Sequence, residues 1–489
     1  MKVHAYTLLI VFLGVIFFFS NCSSENKKAE PFNLIAKAQT YFSKKNASSP
    51  GPNLFQVSVK TVTTPFRIPA LQGCAAATYN GSWILIGGRK AGLHGLDNDP
   101  PPFRLESVND SIWIVDMKQG KSMGVGVPFA YANFLSATNQ AYYQVGDKLY
   151  LSGGYTFQLL PARQYNWTSD RFFEINLPAL MQYVQSGGAA PALSEVFTKV
   201  IQSPYVQVTG GEMMVVNNNF YLIGGQNYIG RYQRGNTGLY TNAIRKFNLI
   251  SSGAGWNITD TSSLIDVVNL HRRDLNLVPV AVHDQDSIRA VIYGGVFTKD
   301  GLGYRNPVYI SGLANGVPSI SIDSMKQDVN QYTCASISAA IVSHLFTLNQ
   351  ISFLGGISYM QYDTLTKKLS LPSLGKEMPF SNLISSIYTD GATNSLEVVQ
   401  LPPAPALPAY LGSNALFFPL SDYMLSGYHQ IMDLDKIFNN YANTPILIGY
   451  MYGGIESHHP NTVTPDGNYS TTVNHTLYQV YMNIPVDVH

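Results

Sequence analysis

Charge is what this sequence has least of. Asp, Glu, Lys and Arg make up 12% of its 489 residues, about half of the roughly 25% usual in globular domains. The two signs nearly cancel, 31 Lys and Arg against 30 Asp and Glu, so there is no broad basic field to hold nucleic acid through its phosphates. Three cysteines are too few for a disulfide framework or a four-thiolate metal centre. The N-terminal apolar run, Leu8 to Phe19, falls short of the ~20 residues that span a bilayer as a helix. What is abundant is Gly (41), Tyr (31) and Pro (27), with 45% of residues apolar. That is neither the recipe for disorder nor the one for long helices. The length suits several ordinary domains or one large repeat fold.

Lys2 and His4 precede the apolar run, and Ser20-Asn21-Cys22 follow it. A basic start, a short apolar stretch and small residues read as a secretory signal. Cys22, followed by Ser23-Ser24-Glu25-Asn26, resembles the cleavage box of bacterial lipoproteins, with Phe19 and Asn21 departing from that family's preferred residues. The resemblance implies that residues 1–21 are removed and that Cys22 receives a lipid holding the protein on a membrane. An ordinary signal peptide with an incidental Cys is the alternative. Residues 22–53, rich in Lys, Ser, Asn and Pro, read as a tether with one short amphipathic stretch.

The rest of the chain repeats itself. Six times an apolar, aromatic-rich run ends in a glycine pair: Gly87-Gly88, Gly153-Gly154, Gly224-Gly225, Gly294-Gly295, Gly355-Gly356 and Gly453-Gly454. Paired glycines at a strand end allow positive φ and close backbone approach. Strand-like segments with hairpin turns such as Asn80-Gly81 and Gly146-Asp147 precede the runs, and third and fourth strand candidates follow.

These hairpins resemble the kelch-repeat β-propellers, in which the second strand of each four-stranded blade ends in Gly-Gly. The resemblance covers residues 54–489. It is specific in the glycine pairs and weak elsewhere: the family's Tyr-Asp survives only as Val115-Asp116, and its blade Trp is mostly missing. The pairs lie 61 to 98 residues apart, above the usual kelch period of about 50, which points to long loops and an insertion at Ser421–Thr444. The fold expected is all-β, a six-bladed ring. The sixth blade runs out of chain before its outer strand, and Phe55–Val62 alternates well with no other home. It is therefore expected to close that blade, removing an open edge that invites aggregation. Several separate β-sandwiches are the weaker alternative.

In such propellers the loops after the second strand and before the first gather on one face, around the channel mouth, where ligands usually bind. Here those loops carry Tyr228, Arg231, Tyr304 and Arg305, and the segment His271-Arg272-Arg273-Asp274 is the polar exception among the inner-strand starts, with Glu212 as the other acid. Tyr and Arg give recognition area at low entropy cost, and a guanidinium makes the bidentate pair that carboxylates favour. Mutual packing of these loops, and an Arg that only bonds loop carbonyls, are the structural readings of the same residues. The starts of the inner strands are read as Gly73-Cys74, Leu135-Ser136, Gly211-Glu212, Arg272-Arg273-Asp274, Thr333-Cys334 and Gly412-Ser413-Asn414.

Enzyme templates mostly fail. Cys74 falls where the related copper-radical galactose oxidases carry a crosslinking Cys, but Ala137 and Tyr332-Thr333 stand where their other ligands are needed. No metal or other cofactor is expected. His458-His459 are adjacent and aim two imidazoles apart. Two functions remain. One is a lipid-anchored envelope propeller that binds a glycan or protein. The other is a carbohydrate-acting enzyme resembling the periplasmic sialic-acid mutarotases, with Glu212 or Asp274 exchanging a proton and Arg272 or Arg273 holding a carboxylate.

Overall fold

The computed structural model describes residues 55–94, 103–160, 163–230, 232, 238–253, 255–282, 288–343, 347–372, 378–391, 395–428, 430–440, 444–460 and 471–483. The signal segment, Cys22 and the tether lie outside them, as does Arg231. The described residues fall in one compact unit.

Six antiparallel sheets form the six blades of a propeller. From the inside outwards, blade 1 is Ala75–Tyr79, Ser82–Ile86, Ser111–Asp116 and Lys121–Gly126. Blade 2 is Ala141–Val145, Lys148–Ser152, Arg171–Asn176 and Phe197–Gln202. Blade 3 is Glu212–Val216, Asn219–Ile223, Ala243–Ser252 and Gly255–Ile265. Blade 4 is Arg273–Val280, Arg289–Val296, Val308–Ser311 and Ser319–Ile322. Blade 5 is Ala335–Val342, Thr347–Leu354, Ile384–Thr389 and Ser395–Gln400.

Blade 6 closes the ring in the way the leftover strand predicts. Its Tyr410–Pro419, Ile446–Ser457 and Leu477–Asn483 take Gln56–Val62 as the outer strand. The pairing runs from Gln56 opposite Asn483 to Val62 opposite Leu477. Blade 5 grips the same strand: the Gln400 side chain accepts from Val57 N–H and donates to Val57 O, both at 2.9 Å. Gln350 donates to Phe55 O at 3.2 Å. The first and last described strands thus pair within one sheet, and the edge of Leu477–Asn483 that would otherwise lie open is covered.

The glycine pairs explain how neighbouring blades meet. In all six, the N–H of the second glycine donates to a carbonyl at the entry to the next blade, at 2.6–3.0 Å: Gly88 to Ala137, Gly154 to Val208, Gly225 to Arg272, Gly295 to Gln331, Gly356 to Leu411 and Gly454 to Leu71. The first glycine lies against that same carbonyl. A Cβ on Gly153, whose φ is +66°, would sit 1.9 Å from Val208 O. A side chain there would have to displace backbone, so the motif repeats because the inter-blade contact repeats.

Apolar faces pack between blades. Phe172, Phe220 and Phe247 cluster between blades 2 and 3, Phe220 and Phe247 stacked at 5.3 Å. At the seam between the first and last blades, Trp83 stacks on Phe418 at 4.3 Å and 7°. Cys74 and Cys334 are buried free thiols, both pushed up to about 12 by burial.

Three details differ from the sequence reading. The inner strand of blade 2 begins at Ala141, not at Leu135-Ser136, because Ala132–Leu135 forms a helical turn in the loop ahead of it. A helix, Leu177–Gln185, sits between the third and outer strands of blade 2, with Asn176 capping it by accepting from Ala179 N–H. In the Ser421–Thr444 insertion, where the sequence of Ile431–Asn440 reads as helical, the helix is shorter, Leu434–Asn439, with Asp433 accepting from Lys436 N–H at 3.0 Å. Just ahead of it, Met432–Asp433 pairs parallel with Ala339 and Ala340 on the inner strand of blade 5. Ile431, Leu434 and Ile437 are buried there. The insertion covers the inner edges of blades 4 and 5 at the end of the channel away from the glycine pairs.

Candidate functional site

A belt of backbone surrounds the other mouth of the channel. Gly73, Asn139, Gly210, Asp274, Thr333 and Asn414 lead into or open the inner strands, one per blade. Each N–H from Asn139 onwards donates to the carbonyl of its counterpart in the preceding blade, at 2.9, 3.1, 2.6, 2.9 and 2.8 Å in order. Between blades 6 and 1 the link is a side chain, with Asn414 Nδ2 donating to Gln72 Oε1 at 2.9 Å. Five of the six belt residues have φ between +49° and +64°. That region suits glycine and is tolerated by Asn and Asp, which is why these residue types stand there.

Asp274 is the charged member of the belt. Arg273 Nη1 forms an ion pair with Asp274 Oδ2, and Asn139 Nδ2 reaches Asp274 Oδ1 from blade 2 at 3.3 Å. The remaining nitrogens of Arg273 donate to two phenols of blade 3 loops: Nε to Tyr240 at 3.2 Å and Nη2 to Tyr232 at 3.1 Å. Phe297 offers its ring face 5.0 Å from the guanidinium. Tyr240 in turn stacks on His271 at 3.9 Å. Arg273 is raised well above its usual range, burial opposing and Asp274 prevailing. Tyr332 lies beside Asp274 and is held well above the usual phenol range by burial first and that carboxylate second.

Glu212 opens the inner strand of blade 3, two residues past belt residue Gly210. It is partly exposed. Burial of its carboxyl, and next the negative charge of Asp274, push it up to about 8. Two carboxyl groups with opposed environments therefore share this mouth. One is locked to an arginine, and the other holds its proton near neutrality. Such a pair can accept and donate hydrogen bonds to hydroxyls, and its unlocked member can exchange a proton.

The other sequence candidates are placed elsewhere. Arg272 is 1% exposed and turns away from Arg273. Its Nε, Nη1 and Nη2 donate to the carbonyls of Asn269, Gly294 and Asn306 at 2.8, 2.8 and 2.9 Å. Tyr304 lies under that guanidinium, 4.3 Å away. The two fasten the loops of blade 4. Arg305 pairs with Asp328, donates to Gln327 O at 2.9 Å and covers the Tyr359 ring. Tyr228 is buried beneath Tyr232, 4.9 Å between ring centres, and meets Tyr155 edge-on at 5.7 Å. The sequence reading therefore put Arg273, Asp274 and Glu212 together, and its site-residue set left out Tyr232, Tyr240, Tyr332 and Asn139. Asn139 could have been found by looking for Gly, Asn or Asp just before each inner strand.

Among the described residues no group of three or more His, Cys, Asp and Glu side chains is placed to hold a metal ion. His458 and His459 are both exposed.

No family model matches the chain, and no curated protein matches it. Among solved structures, one described as "Structure of YjhT" is 10% identical, covers 84% of this chain and 99% of its own, and superposes with a TM-score of 0.43. A likeness that slight says nothing of ligand or activity.

Proposed function

We propose that this protein is a kelch-type binding propeller of a bacterial envelope, held to a membrane by lipid on Cys22, and that it recognises a glycan at the belt mouth. The carrying observation is the cluster there: a forked guanidinium, two carboxyl groups and three phenols, drawn from blades 3, 4 and 5 onto one rim. Hydroxyl-rich ligands suit such a mix of donors, acceptors and ring faces. The cover laid over blades 4 and 5 at the far end of the channel also favours binding at one mouth over passage through the ring.

A glycan array with the full chain tests this. Wild type binds a defined subset of glycans, and Arg273→Lys, which keeps the charge beside Asp274 but loses the fork to Tyr232 and Tyr240, weakens that binding at least ~10-fold, the scale of one or two lost hydrogen bonds. Silence across the array refutes glycan recognition and leaves a protein partner, to be sought by crosslinking in intact envelopes.

The second reading, an enzyme resembling the sialic-acid mutarotases, is favoured by the upward shift of Glu212, through burial and the neighbouring charge of Asp274, into the range where a carboxyl can exchange a proton. Exchange of ring forms in acidic sugars, followed by NMR, decides it. Rates no faster with protein than without, or unchanged by Glu212→Gln, exclude it.

A further inference from the structure

Arg89 follows the first glycine pair, and its main chain is fixed by reciprocal hydrogen bonds with Gln72 at 2.9 and 3.0 Å. The residue is 5% exposed. Its Nη2 donates to Ser107 Oγ at 2.9 Å, but Nε and Nη1 are buried with no hydrogen-bond partner. No ion pair among the described residues includes it. Burial draws the guanidinium down to about 10, so it stays cationic at neutral pH. Tyr155 cannot be the counter-ion, because its hydroxyl donates to Gly230 O at 2.7 Å and burial holds it far above the usual phenol range. The Phe103 ring face, 4.4 Å away, offsets only part of the cost of an unpaired buried cation.

Beside the guanidinium is a cavity of about 10 Å³, lined among others by Phe103, Ser136, Thr138, Thr156 and Asn166. That is room for one atom of water size. Ser136, 6% exposed, lines the cavity and carries a hydroxyl able to donate. Two guanidinium donors with no partner among the described residues, a hydroxyl, and a positive charge with no counter-ion among those residues, around a one-atom space, favour a monatomic anion over water.

We propose that this cavity is a halide site, in which Arg89 Nε and Nη1 and the Ser136 hydroxyl hold one chloride ion beneath the loops of blades 1 and 2. The ion neutralises the buried charge and locks these loops together. This site adjoins the Arg273 cluster through one ring, since Phe103 over Arg89 meets Tyr232 edge-on at 5.6 Å, but it shares no hydrogen-bonding group with it.

Thermal unfolding of the full chain is followed at constant ionic strength while sodium gluconate is replaced by sodium chloride or bromide. Halide raises the folded-to-unfolded ratio in proportion to one plus its concentration over its dissociation constant, about a hundredfold at a hundred times that constant, and Arg89→Gln abolishes the dependence. Because that variant can fail to fold, the deciding measurement uses wild type: bromide-soaked crystals give an anomalous peak within hydrogen-bonding distance of Arg89 Nε and Nη1. A water in the cavity without bromide signal, a bromide peak only elsewhere, or an unfolding midpoint indifferent to halide overturns the proposal.

Discussion

Replacing Gly153 by Ala probes the contact on which the ring depends. Gly153 has φ +66°, and its added Cβ would lie 1.9 Å from Val208 O and 2.9 Å from Val208 N and C, all backbone atoms of the next blade. Gly187 is the control. Its φ is +69°, yet nothing lies within 4 Å of its Cβ position. Both substitutions incur the left-handed penalty of about 1–2 kcal/mol for a residue with a Cβ. Only Gly153→Ala also pushes away the carbonyl that accepts from Gly154 N–H at 2.8 Å. Breaking that buried bond leaves two unsatisfied groups and adds about 1–3 kcal/mol. The expected losses are thus about 1–2 kcal/mol for Gly187→Ala and about 2–5 kcal/mol for Gly153→Ala. Gly355→Ala, 1.8 Å from Leu411 O, should resemble Gly153→Ala. Urea midpoints read by tryptophan fluorescence give the comparison. Equal losses at Gly153 and Gly187 would refute the claim that the glycine pairs exist for inter-blade contact.

Gln400→Ala removes both side-chain bonds to Val57 and should cost about 2–3 kcal/mol. It should also open the first strand to limited proteolysis, and an unchanged digestion pattern would count against that clamp. Glu212 titrates upward on folding, so between about 4.5 and about 8 the folded state binds the extra proton. Stability conferred by the neutral carboxyl is therefore lost as pH rises through that window. Urea midpoints of Glu212→Gln should fall less steeply with pH than wild type, and parallel profiles would contradict the raised value. Arg272→Lys should lower the unfolding midpoint, through its three lost carbonyl bonds, without changing the glycan profile. A changed profile would place Arg272 in the ligand site. Cys22→Ser should abolish incorporation of radiolabelled fatty acid, and label retained in that variant would end the lipid reading.

The strands were legible because their signals are local. An apolar run ending in two glycines, a tight turn and an alternating neighbour need only a few adjacent residues to be recognised. Counting such units gave six blades, and the count left Phe55–Val62 as the strand to complete the last, which Gln56–Val62 does. The site was legible only in part. Arg272 and Arg273 are neighbours of the same type, yet one is spent on the carbonyls of Asn269, Gly294 and Asn306, and the other reaches Asp274, Tyr232 and Tyr240.

By itself, then, the sequence determined the strand pattern, the number of blades and the need for a closing strand, since period-two alternation and glycine conformation act within one hairpin. Only the tertiary structure decided which arginine faces the channel mouth, that Asn139 reaches Asp274 across 135 positions, and that Arg89 Nε and Nη1 are buried with no hydrogen-bond partner among the described residues. Those outcomes depend on which carbonyls, rings and carboxylates the other blades bring alongside, and that is fixed only when the ring closes.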